Sequence, residues 1–303
     1  MIGGKVKVWM FAAVVALAGA AGLAVWAADT APGRVEMVVV GKVPEGYAAQ
    51  SLQFNRDGKR LAFVASKGDK KVVLSEGQPV LEYEAISSLT ISPDGRRVAY
   101  AGEKGVKWQV VVDGQPGIEY DGIMDVVFSH DGRRIAFAAT RGGRTIVVID
   151  GQVSPDYDGI GKSGLTFGAD GRRIAYIALK GKSQAVVVDG VAGPDFDAVT
   201  EPIFSPDGKR VAYSGKRGAR WAAVVDGIAG PEYDWIAEIR FSPESRHVAY
   251  AAQKGLKWVV LMDGLTGPEY DEIFVSLLSF SPGGAAQYLA RNGREYYNVT
   301  HLP

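Results

Sequence analysis

Short runs of apolar residues, each about five positions long and bounded by turn residues, recur along most of the chain. Within residues 204–234, for example, the runs at 210–214 and 221–225 are separated by Lys216, Arg217 and Gly218. Runs of this length between glycines are typical of β-strands that are covered on both faces. Beyond the N-terminal segment, no stretch keeps apolar residues at spacings of three and four, so the pattern predicts essentially no helix there.

These runs belong to a repeat whose best copies start with an aromatic residue followed by Ser-Pro-Asp-Gly. The copies start at Phe54, Ile91, Phe128, Phe167, Phe204, Phe241 and Phe280. Successive starts lie 37 or 39 residues apart. A period near 40 that contains only strands and turns is typical of a β-propeller, in which each unit is one four-stranded blade. The sequence therefore predicts an all-β fold, a seven-bladed β-propeller over residues 35–303.

Two local motifs mark the turns within each unit. Ser-Pro-Asp-Gly at 205–208 places proline second and glycine fourth in a type I turn, which joins the innermost strand to the next. An Asp-Gly pair follows the third strand and favours positive φ in a tight reversal. The Asp-Gly pairs begin at Asp113, Asp150, Asp189, Asp226 and Asp263.

The two ends of the repeat region look complementary. Residues 35–41 and the Gly46-Tyr47 pair resemble the third and fourth strands of a unit that lacks its first two strands. Residues 280–303 supply the first two strands of a unit and a third at 295–300. We therefore expect the N-terminal segment to pair with the C-terminal blade and close the ring, which protects the strand edges. Which of the two segments becomes the outermost strand stays open.

The sequence FSPDGKRVAY at 204–213, with relatives at 91, 128, 167 and 241, resembles the repeat of the TolB-type, WD40-like propellers of bacteria. The resemblance covers residues 35–303. It implies the propeller fold and an interaction protein of the bacterial periplasm. The Gly-His and Trp-Asp pairs of eukaryotic repeats are absent, so the resemblance is to the bacterial variant.

The first 27 residues have the composition of an export signal. Lys5 and Lys7 precede an apolar run, and the small residues Val25 and Ala27 suit cleavage after position 27. The run at 8–27 is also long enough to cross a bilayer, so an uncleaved membrane anchor is the alternative. In both cases residues 28–34 form a short linker, and the remainder is expected in the periplasm or outside the cell.

Composition excludes several function classes. The 34 basic residues balance the 34 acidic ones, so no net positive charge favours nucleic acid. Cysteine is absent, which excludes disulfides, a thiolate nucleophile and cysteine-ligated zinc. We expect no cofactor, and composition leaves the oligomeric state open.

Motif searches predict neither a catalytic set nor a metal site. Residues 159–164 contain the Gly-Lys-Ser of a phosphate-binding loop, but Asp156 stands where the full motif needs glycine, and a strand follows in place of a helix. His130, His247 and His301 are scattered and lack a second histidine at ligand spacing.

An acid-aromatic-acid triplet recurs near the end of six of the seven units. The copies begin at Glu82, Glu119, Asp156, Asp195, Glu232 and Glu269. An active site should break the symmetry of the repeat, so six equivalent copies favour a structural role. The predicted role is an aromatic ring packed inward and carboxylates that accept hydrogen bonds from turn amides or from Lys and Arg. Periodic calcium binding is the alternative.

Positions where the repeats disagree are where a unique function can reside. They cluster in the connections between the fourth strand of one blade and the first strand of the next, which ring one mouth of a propeller channel. The candidate binding residues are Asp125, Lys162, Glu201, Trp235, Glu238, Arg240, Glu272 and Phe274. Trp and Arg are effective anchors for a protein partner.

Three functional hypotheses follow. The leading one is an exported, noncatalytic scaffold that binds a protein or peptide across this face. The second is a hydrolase or lyase that acts on glycan or peptide with Asp125, Glu201, Glu238 and Arg240. The third is a sensor of a small ligand, tethered to the membrane through residues 8–27.

Overall fold

The computed structural model describes residue 39 and residues 42–55, 57–75 and 78–303. The predicted signal or anchor at 1–27, the linker at 28–34 and nearly all of the segment at 35–41 lie outside the described residues.

The described residues form an all-β structure of consecutive antiparallel sheets. The first three sheets contain β1 (Ala48–Phe54), β2 (Leu61–Lys67), β3 (Lys70–Ser75) and β4 (Gln78–Tyr83); β5 (Ala85–Ile91), β6 (Val98–Lys104), β7 (Lys107–Val112) and β8 (Gln115–Tyr120); and β9 (Gly122–Phe128), β10 (Ile135–Arg141), β11 (Arg144–Ile149) and β12 (Gln152–Val153). The fourth and fifth sheets, whose first strands are split, contain β13 (Gly159–Ile160), β14 (Thr166–Phe167), β15 (Ile174–Lys180), β16 (Ser183–Val188) and β17 (Val191–Ala192); and β18 (Ala198–Val199), β19 (Ile203–Phe204), β20 (Val211–Arg217), β21 (Arg220–Val225) and β22 (Ile228–Tyr233).

The last two sheets follow the same order. They contain β23 (Trp235–Phe241), β24 (Val248–Lys254), β25 (Lys257–Met262) and β26 (Leu265–Thr266); and β27 (Glu272–Ile273), β28 (Ser279–Phe280), β29 (Ala286–Asn292) and β30 (Glu295–His301). In this part of the chain, the single helical element is the short 3-10 helix η1 (Val275–Leu277). Every repeat start lies at the end of a first strand, so one sequence unit contains the last three strands of one sheet and the first strand of the next.

The predicted turn chemistry is confirmed. At the Ser-Pro-Asp-Gly turn, the Gly208 amide donates to the Ser205 carbonyl at 2.8 Å, and the Ser205 hydroxyl donates to the Asp207 carboxylate at 2.6 Å. At the reversal after β21, Asp226 has φ 51° and Gly227 has φ 83°. The positive φ expected at each Asp-Gly pair is present at all five copies. The turns are therefore fixed by local chemistry.

The structural role predicted for the acid-aromatic-acid triplet is also confirmed. Asp121, which follows β8, accepts hydrogen bonds from the Gly142 amide in the next sheet and from the Lys107 ammonium, both at 2.6 Å. The equivalent carboxylates accept from the turn glycine of the next sheet in the same way: Glu84 from Gly105, Asp158 from Gly181, Asp197 from Gly218, Asp234 from Gly255 and Asp271 from Gly293. The ring of Tyr120 is buried and packs edge-on against Phe137 at 5.7 Å between centroids. Each triplet therefore joins one sheet to the next.

The apolar core lies between successive sheets. One cluster packs Val64 and Val73 of the first sheet against Tyr100 and Val111 of the second. The opposite face of the second sheet, with Ala101 and other small residues, packs against the third sheet. The second strands are buried along most of their length, as expected for strands covered on both faces.

The first and last sheets differ from those between them. All seven residues of β1 are exposed, and Phe54 keeps 55% of its surface accessible. Most residues of β30 are exposed as well. The predicted pairing of residues 35–41 with the C-terminal sheet concerns residues outside the described ones. In the described part, the third-strand position of the last sheet is occupied by β30, which pairs with β29.

Candidate functional site

The sequence predicted the candidate residues in the connections that precede the first strands. In the structure they lie mainly on the first strands themselves. This difference has a local cause. The amides of Asp121 and Asp234, the last residues of their triplets, already donate to carbonyls of the second strand, so the first strand begins to pair immediately after the triplet and leaves no long connection. Asp125 lies in β9, Trp235, Glu238 and Arg240 in β23, Glu272 in β27, Lys162 and Glu201 between the halves of split first strands, and Phe274 just before η1.

β-Bulges interrupt the first strands at Asp125 and Glu238. The pairing register shifts between Met124 and Val127 and again between Ala237 and Arg240. Both acidic residues adopt left-handed backbone conformations with φ 50°, and Ser88 occupies the same position in the second sheet with φ 53°. A bulge re-aims the side chain that it carries and is frequent beside binding sites. Counting three residues back from each repeat start would have identified this position in the sequence.

Asp125 reaches across to the next sheet. Its carboxylate lies against Gly164, where an added Cβ would come within 2.5 Å of Oδ2. Gly164 has φ 68° and stands three residues before Phe167, as Asp125 stands before Phe128. A glycine at this position therefore satisfies both the backbone conformation and the close approach of the carboxylate.

Trp235, Glu238 and Arg240 all lie on β23 of the sixth sheet, and we refer to them together as the Trp235 surface. The Trp235 indole packs edge-on against Trp221 of the fifth sheet at 4.9 Å and remains 44% exposed. Arg240 donates to the Glu238 carboxylate at 2.9 Å, with both side chains exposed. An exposed ion pair of this kind adds little stability. Its charges stay exposed on the same strand as the Trp235 indole.

Glu272 and Phe274 lie at the start of the last sheet. Glu272 accepts a hydrogen bond from Arg291 at 2.9 Å, and this contact raises the pKa of Arg291. Phe274 packs at 6.2 Å from Tyr296, whose ring is largely exposed. This group is separated along the chain from the Trp235 surface by a full repeat, and each lies on its own sheet.

Lys162 and Glu201 interrupt the first strands of the fourth and fifth sheets. Lys162 lies in a turn closed by the Gly164 amide, which donates to the Gly161 carbonyl at 3.0 Å. The Gly-Lys-Ser stretch thus connects two short strands and opens no helix. Glu201 is exposed beside Thr200, whose hydroxyl accepts from the Ser214 amide at 2.9 Å.

His247 makes a contact within its own sheet, and His130 lies in an exposed turn. His247 Nδ1 lies 2.6 Å from the Asp263 carboxylate, in the place of the arginine found in other repeats. His130 is exposed in its turn. Across the described ranges, no group of three or more His, Cys, Asp or Glu side chains has a geometry that could hold a metal ion. In the same ranges, no helix is both long and apolar enough to traverse a lipid bilayer.

No family model matches this sequence, and no curated protein is similar to it. Solved structures with related strand arrangements include a eukaryotic initiation factor, at 12% identity over 88% of this chain and 92% of that one, with a TM-score of 0.39. They also include the β-propeller domain of the trilobed protease from Pyrococcus furiosus, at 13% identity over 84% and 93% of the two chains and a TM-score of 0.38. TolB from Acinetobacter baumannii is similar at 18% identity over 73% and 62%, with a TM-score of 0.31. The propeller assignment therefore rests on the repeat and on the order of the sheets.

Proposed function

We propose that the chain is an exported, noncatalytic seven-bladed β-propeller that binds a protein or peptide across the surface formed by its first strands. One observation carries the proposal. The side chains that break the repeat, among them Asp125, Trp235 and Glu238, are exposed on first strands, whereas the repeated acids and aromatics are engaged in contacts between sheets. A rigid symmetric scaffold with a variable surface is the usual design of a binding module.

The Trp235 surface is the centre of the proposed interface. Trp and Arg dominate the energetics of protein interfaces, especially where neighbouring side chains hold them in place. Trp221 supports the Trp235 ring from one side, and Glu238 orients Arg240. The described strands leave this group partly exposed, so a partner can bury it without first displacing part of the fold.

The proposal includes the location and the closure of the ring. Residues 1–27 direct export and place the propeller in the periplasm or outside the cell. The seven sheets close into a ring with the help of residues 35–41.

A photo-crosslinking experiment tests the binding function. A benzoylphenylalanine residue replaces Trp235 in the full chain expressed in its native host, and the matched control carries the same group at Leu256, an exposed position in the turn between β24 and β25. A discrete crosslinked partner is expected from position 235 and not from position 256. The combined Glu238→Ala and Arg240→Ala changes should weaken this crosslink. No crosslink at 235, together with substrate turnover by the purified chain, would refute the proposal.

The arrangement of acids gives the enzyme alternative a specific test. Asp125, Glu201 and Glu238 each stand three residues before a repeat start, so three carboxylates occupy the same position of the repeat in three different sheets. A hydrolase or lyase that uses them predicts that Asp125→Asn or Glu238→Gln abolishes turnover of a glycan or peptide substrate. The sensor alternative predicts that the mature chain sediments with membranes.

A further inference from the structure

Four arginines at one position of the repeat link neighbouring sheets. Each donates through Nε to an aspartate of its own sheet and through Nη1 to a backbone carbonyl of the next sheet. The arginines are Arg97, Arg134, Arg173 and Arg210, and the carbonyls belong to Arg133, Arg172, Lys209 and Arg246. Arginine keeps its charge at every physiological pH, so the charge of these four links does not respond to pH.

Histidine takes this position in the sixth sheet. The Ser242 amide donates to the His247 carbonyl as the Ser205 amide donates to the Arg210 carbonyl, so the two residues are equivalent. His247 Nδ1 lies 2.6 Å from the Asp263 carboxylate, which preserves the contact within the sheet. Imidazole is shorter than the arginine side chain, and histidine side chains change charge between about pH 5 and pH 8. The link to the last sheet therefore differs from the others in both reach and charge.

The last sheet lies directly against this histidine. Gly284 is aligned with Arg246, because each precedes the residue whose carbonyl accepts from the turn serine. In the preceding junction, the Arg246 carbonyl accepts from Arg210 at 2.6 Å. An added Cβ on Gly284 would lie 3.0 Å from His247 Cδ2 and 3.4 Å from its Nε2. The Nε2 side of the ring thus faces the residue that stands in the place of the carbonyl acceptor.

Two carboxylates and one cation of the sixth sheet surround the ring. Glu244 lies against the same glycine, with Oε1 2.7 Å from the position of the added Cβ, and Asp263 contacts Nδ1. The pKa of Glu244 is lowered by hydrogen bonds from its own amide and from Ser242, and the charges of His247 and Arg246 add to this effect. The positively charged imidazole is therefore attracted by two carboxylates, whereas the neutral ring is not.

The last sheet brings no charged side chain to this contact through its turn, since residues 283–286 are glycines and alanines. The titratable group that β30 brings to the same pair of sheets is His301. Its Nδ1 would lie 3.3 Å from a Cβ on Gly267, and it has no hydrogen-bond partner among the described residues. The titration of His301 therefore has to be separated from that of His247.

Protonation changes what the His247 ring can donate. A neutral imidazole donates from one nitrogen, and the contact with the Asp263 carboxylate uses Nδ1 as that donor. An imidazolium donates from both nitrogens, so the protonated ring keeps this contact and gains a donor on the side of Gly284 and Glu244. The added donor is present at the acidic end of the histidine range and is lost as the pH rises.

We propose that His247 makes the attachment of the last sheet to the sixth sheet depend on pH, tight while the ring is protonated and looser once the ring has lost its proton. The last sheet carries Glu272 and Phe274, so its loosening would alter this part of the candidate binding surface. This regulation goes beyond the proposed binding function, and it does not require the Trp235 surface to bind a partner.

Hydrogen exchange of the full chain measures the attachment sheet by sheet. Protection factors, which correct for the intrinsic exchange rate at each pH, are compared at about pH 5.5 and about pH 8, on either side of the histidine range. Raising the pH should lower the protection of β29 roughly three- to tenfold, the effect of one hydrogen bond, and leave β15 of the fourth sheet unchanged. The transition should coincide with the titration of the His247 ring resonances in NMR spectra.

Variants at the repeat position make the test specific. His247→Arg restores the side chain of the other junctions and should make the protection of β29 high and independent of pH. His247→Gln can donate to Asp263 but cannot become charged, so protection should stay at the high-pH level of the parent chain at both pH values. Arg210→His is the matched control, because it places the same side chain one sheet earlier and should make β24 respond to pH as well. His301→Gln and His130→Gln should keep the pH dependence of the parent chain.

Three results would overturn the proposal: protection of β29 that does not change with pH in the parent chain, a pH dependence that survives His247→Gln, or one that disappears in His301→Gln. Crosslinking at position 235 should persist in the His247→Gln chain. Failure of the pH response is therefore distinguishable from failure of the proposed binding function.

Discussion

Arg210 joins the fifth and sixth sheets through three contacts. Its Nε donates to Asp226 of its own sheet at 2.9 Å, its Nη1 donates to the Arg246 carbonyl at 2.6 Å, and its guanidinium lies 5.3 Å from the centre of the Phe241 ring. Arg97 and Arg134 make the same set of contacts with their own Asp and the next sheet. The planar guanidinium suits this combination, because it donates in its plane and stacks on its face.

Replacement of Arg210 by alanine should therefore destabilise the junction. We expect a loss of about 1–3 kcal/mol in the free energy of unfolding, from the charge-assisted hydrogen bonds and the lost stacking. Urea unfolding of the full chain measures it. Lys104→Ala, which removes an exposed cation at the end of β6, should have no measurable effect. Equal stability of the Arg210 and Lys104 variants would contradict the assigned role.

The Asp121 carboxylate makes the stability of the fold depend on pH. The hydrogen bond from Lys107, followed by that from Gly142, lowers the pKa of Asp121 below its usual value. A group whose folded pKa is lowered stabilises the fold above its unfolded pKa of about 3.9, and this contribution is lost as pH falls through the folded pKa. Asp121→Asn should thus be less stable than the parent chain at pH 7, and the difference should shrink below about pH 4. Unfolding curves at pH 7 and pH 3 provide the comparison, with Asp69→Asn in an exposed turn as the control. A difference that is the same at both pH values would disprove this linkage.

At the scale of the elements, the first strands carry the variation and the second and third strands carry the core. The burial of β20 is nearly continuous, whereas β23 alternates irregularly between exposed and buried positions. The irregularity follows from the bulge at Glu238, which breaks the two-residue alternation of the strand. First strands therefore tolerate substitutions that the second strands do not.

The left-handed backbone at Glu238 predicts that glycine at this position would stabilise the fold. A residue with a side chain at φ 50° carries strain that glycine does not, and Gly164 already serves at the equivalent place. Glu238→Gly should raise the free energy of unfolding by up to about 1 kcal/mol, while Glu238→Val should lower it. Ala237→Gly, whose backbone is ordinary strand, is the control and should be destabilising. A Glu238→Gly chain that is less stable than the parent would show that the carboxylate, and not the backbone, dominates this position.

Sequence reasoning succeeded where the determinant is local. The Ser-Pro-Asp-Gly turn and the positive φ of the Asp-Gly pairs each depend on a few neighbouring residues. The triplet acids contact the next sheet, but their role was predictable because the same contact recurs with the repeat. It placed Asp125 and Glu238 wrongly, in connections between strands. Both lie at bulges within first strands, and a bulge breaks the sequence pattern of a strand in the same way as a connection does.

At the scale of the whole molecule, the two sheets that would meet in the proposed ring, the first and the last, differ from those between them. Phe128 and Phe241 are each covered by an arginine of the preceding sheet, whereas Phe54 is exposed, and Ala285 of the last sheet stands near the position of that arginine. Closure of the proposed ring between these two sheets would therefore need another source of stability. The sequence assigns that role to residues 35–41, which resemble a third strand and continue into Tyr47, a residue that packs on the first sheet.

Two truncations measure the contribution of this segment to closure. Removal of residues 1–27 deletes only the predicted signal, so the truncated chain should have the same thermal unfolding midpoint as the full chain. Removal of residues 1–41 also deletes the predicted closing strand and should lower the midpoint by a few degrees Celsius. The reason is that β1 and β30 would then present strand edges and apolar residues such as Leu52 to water.

Hydrogen exchange should accelerate at β1 and β29 in the longer deletion and stay unchanged at β15 and β20. A closed ring of residues 28–303 should also have a radius of gyration of about 19 Å, and a larger radius with equal midpoints for the two truncations would rule out closure by this segment.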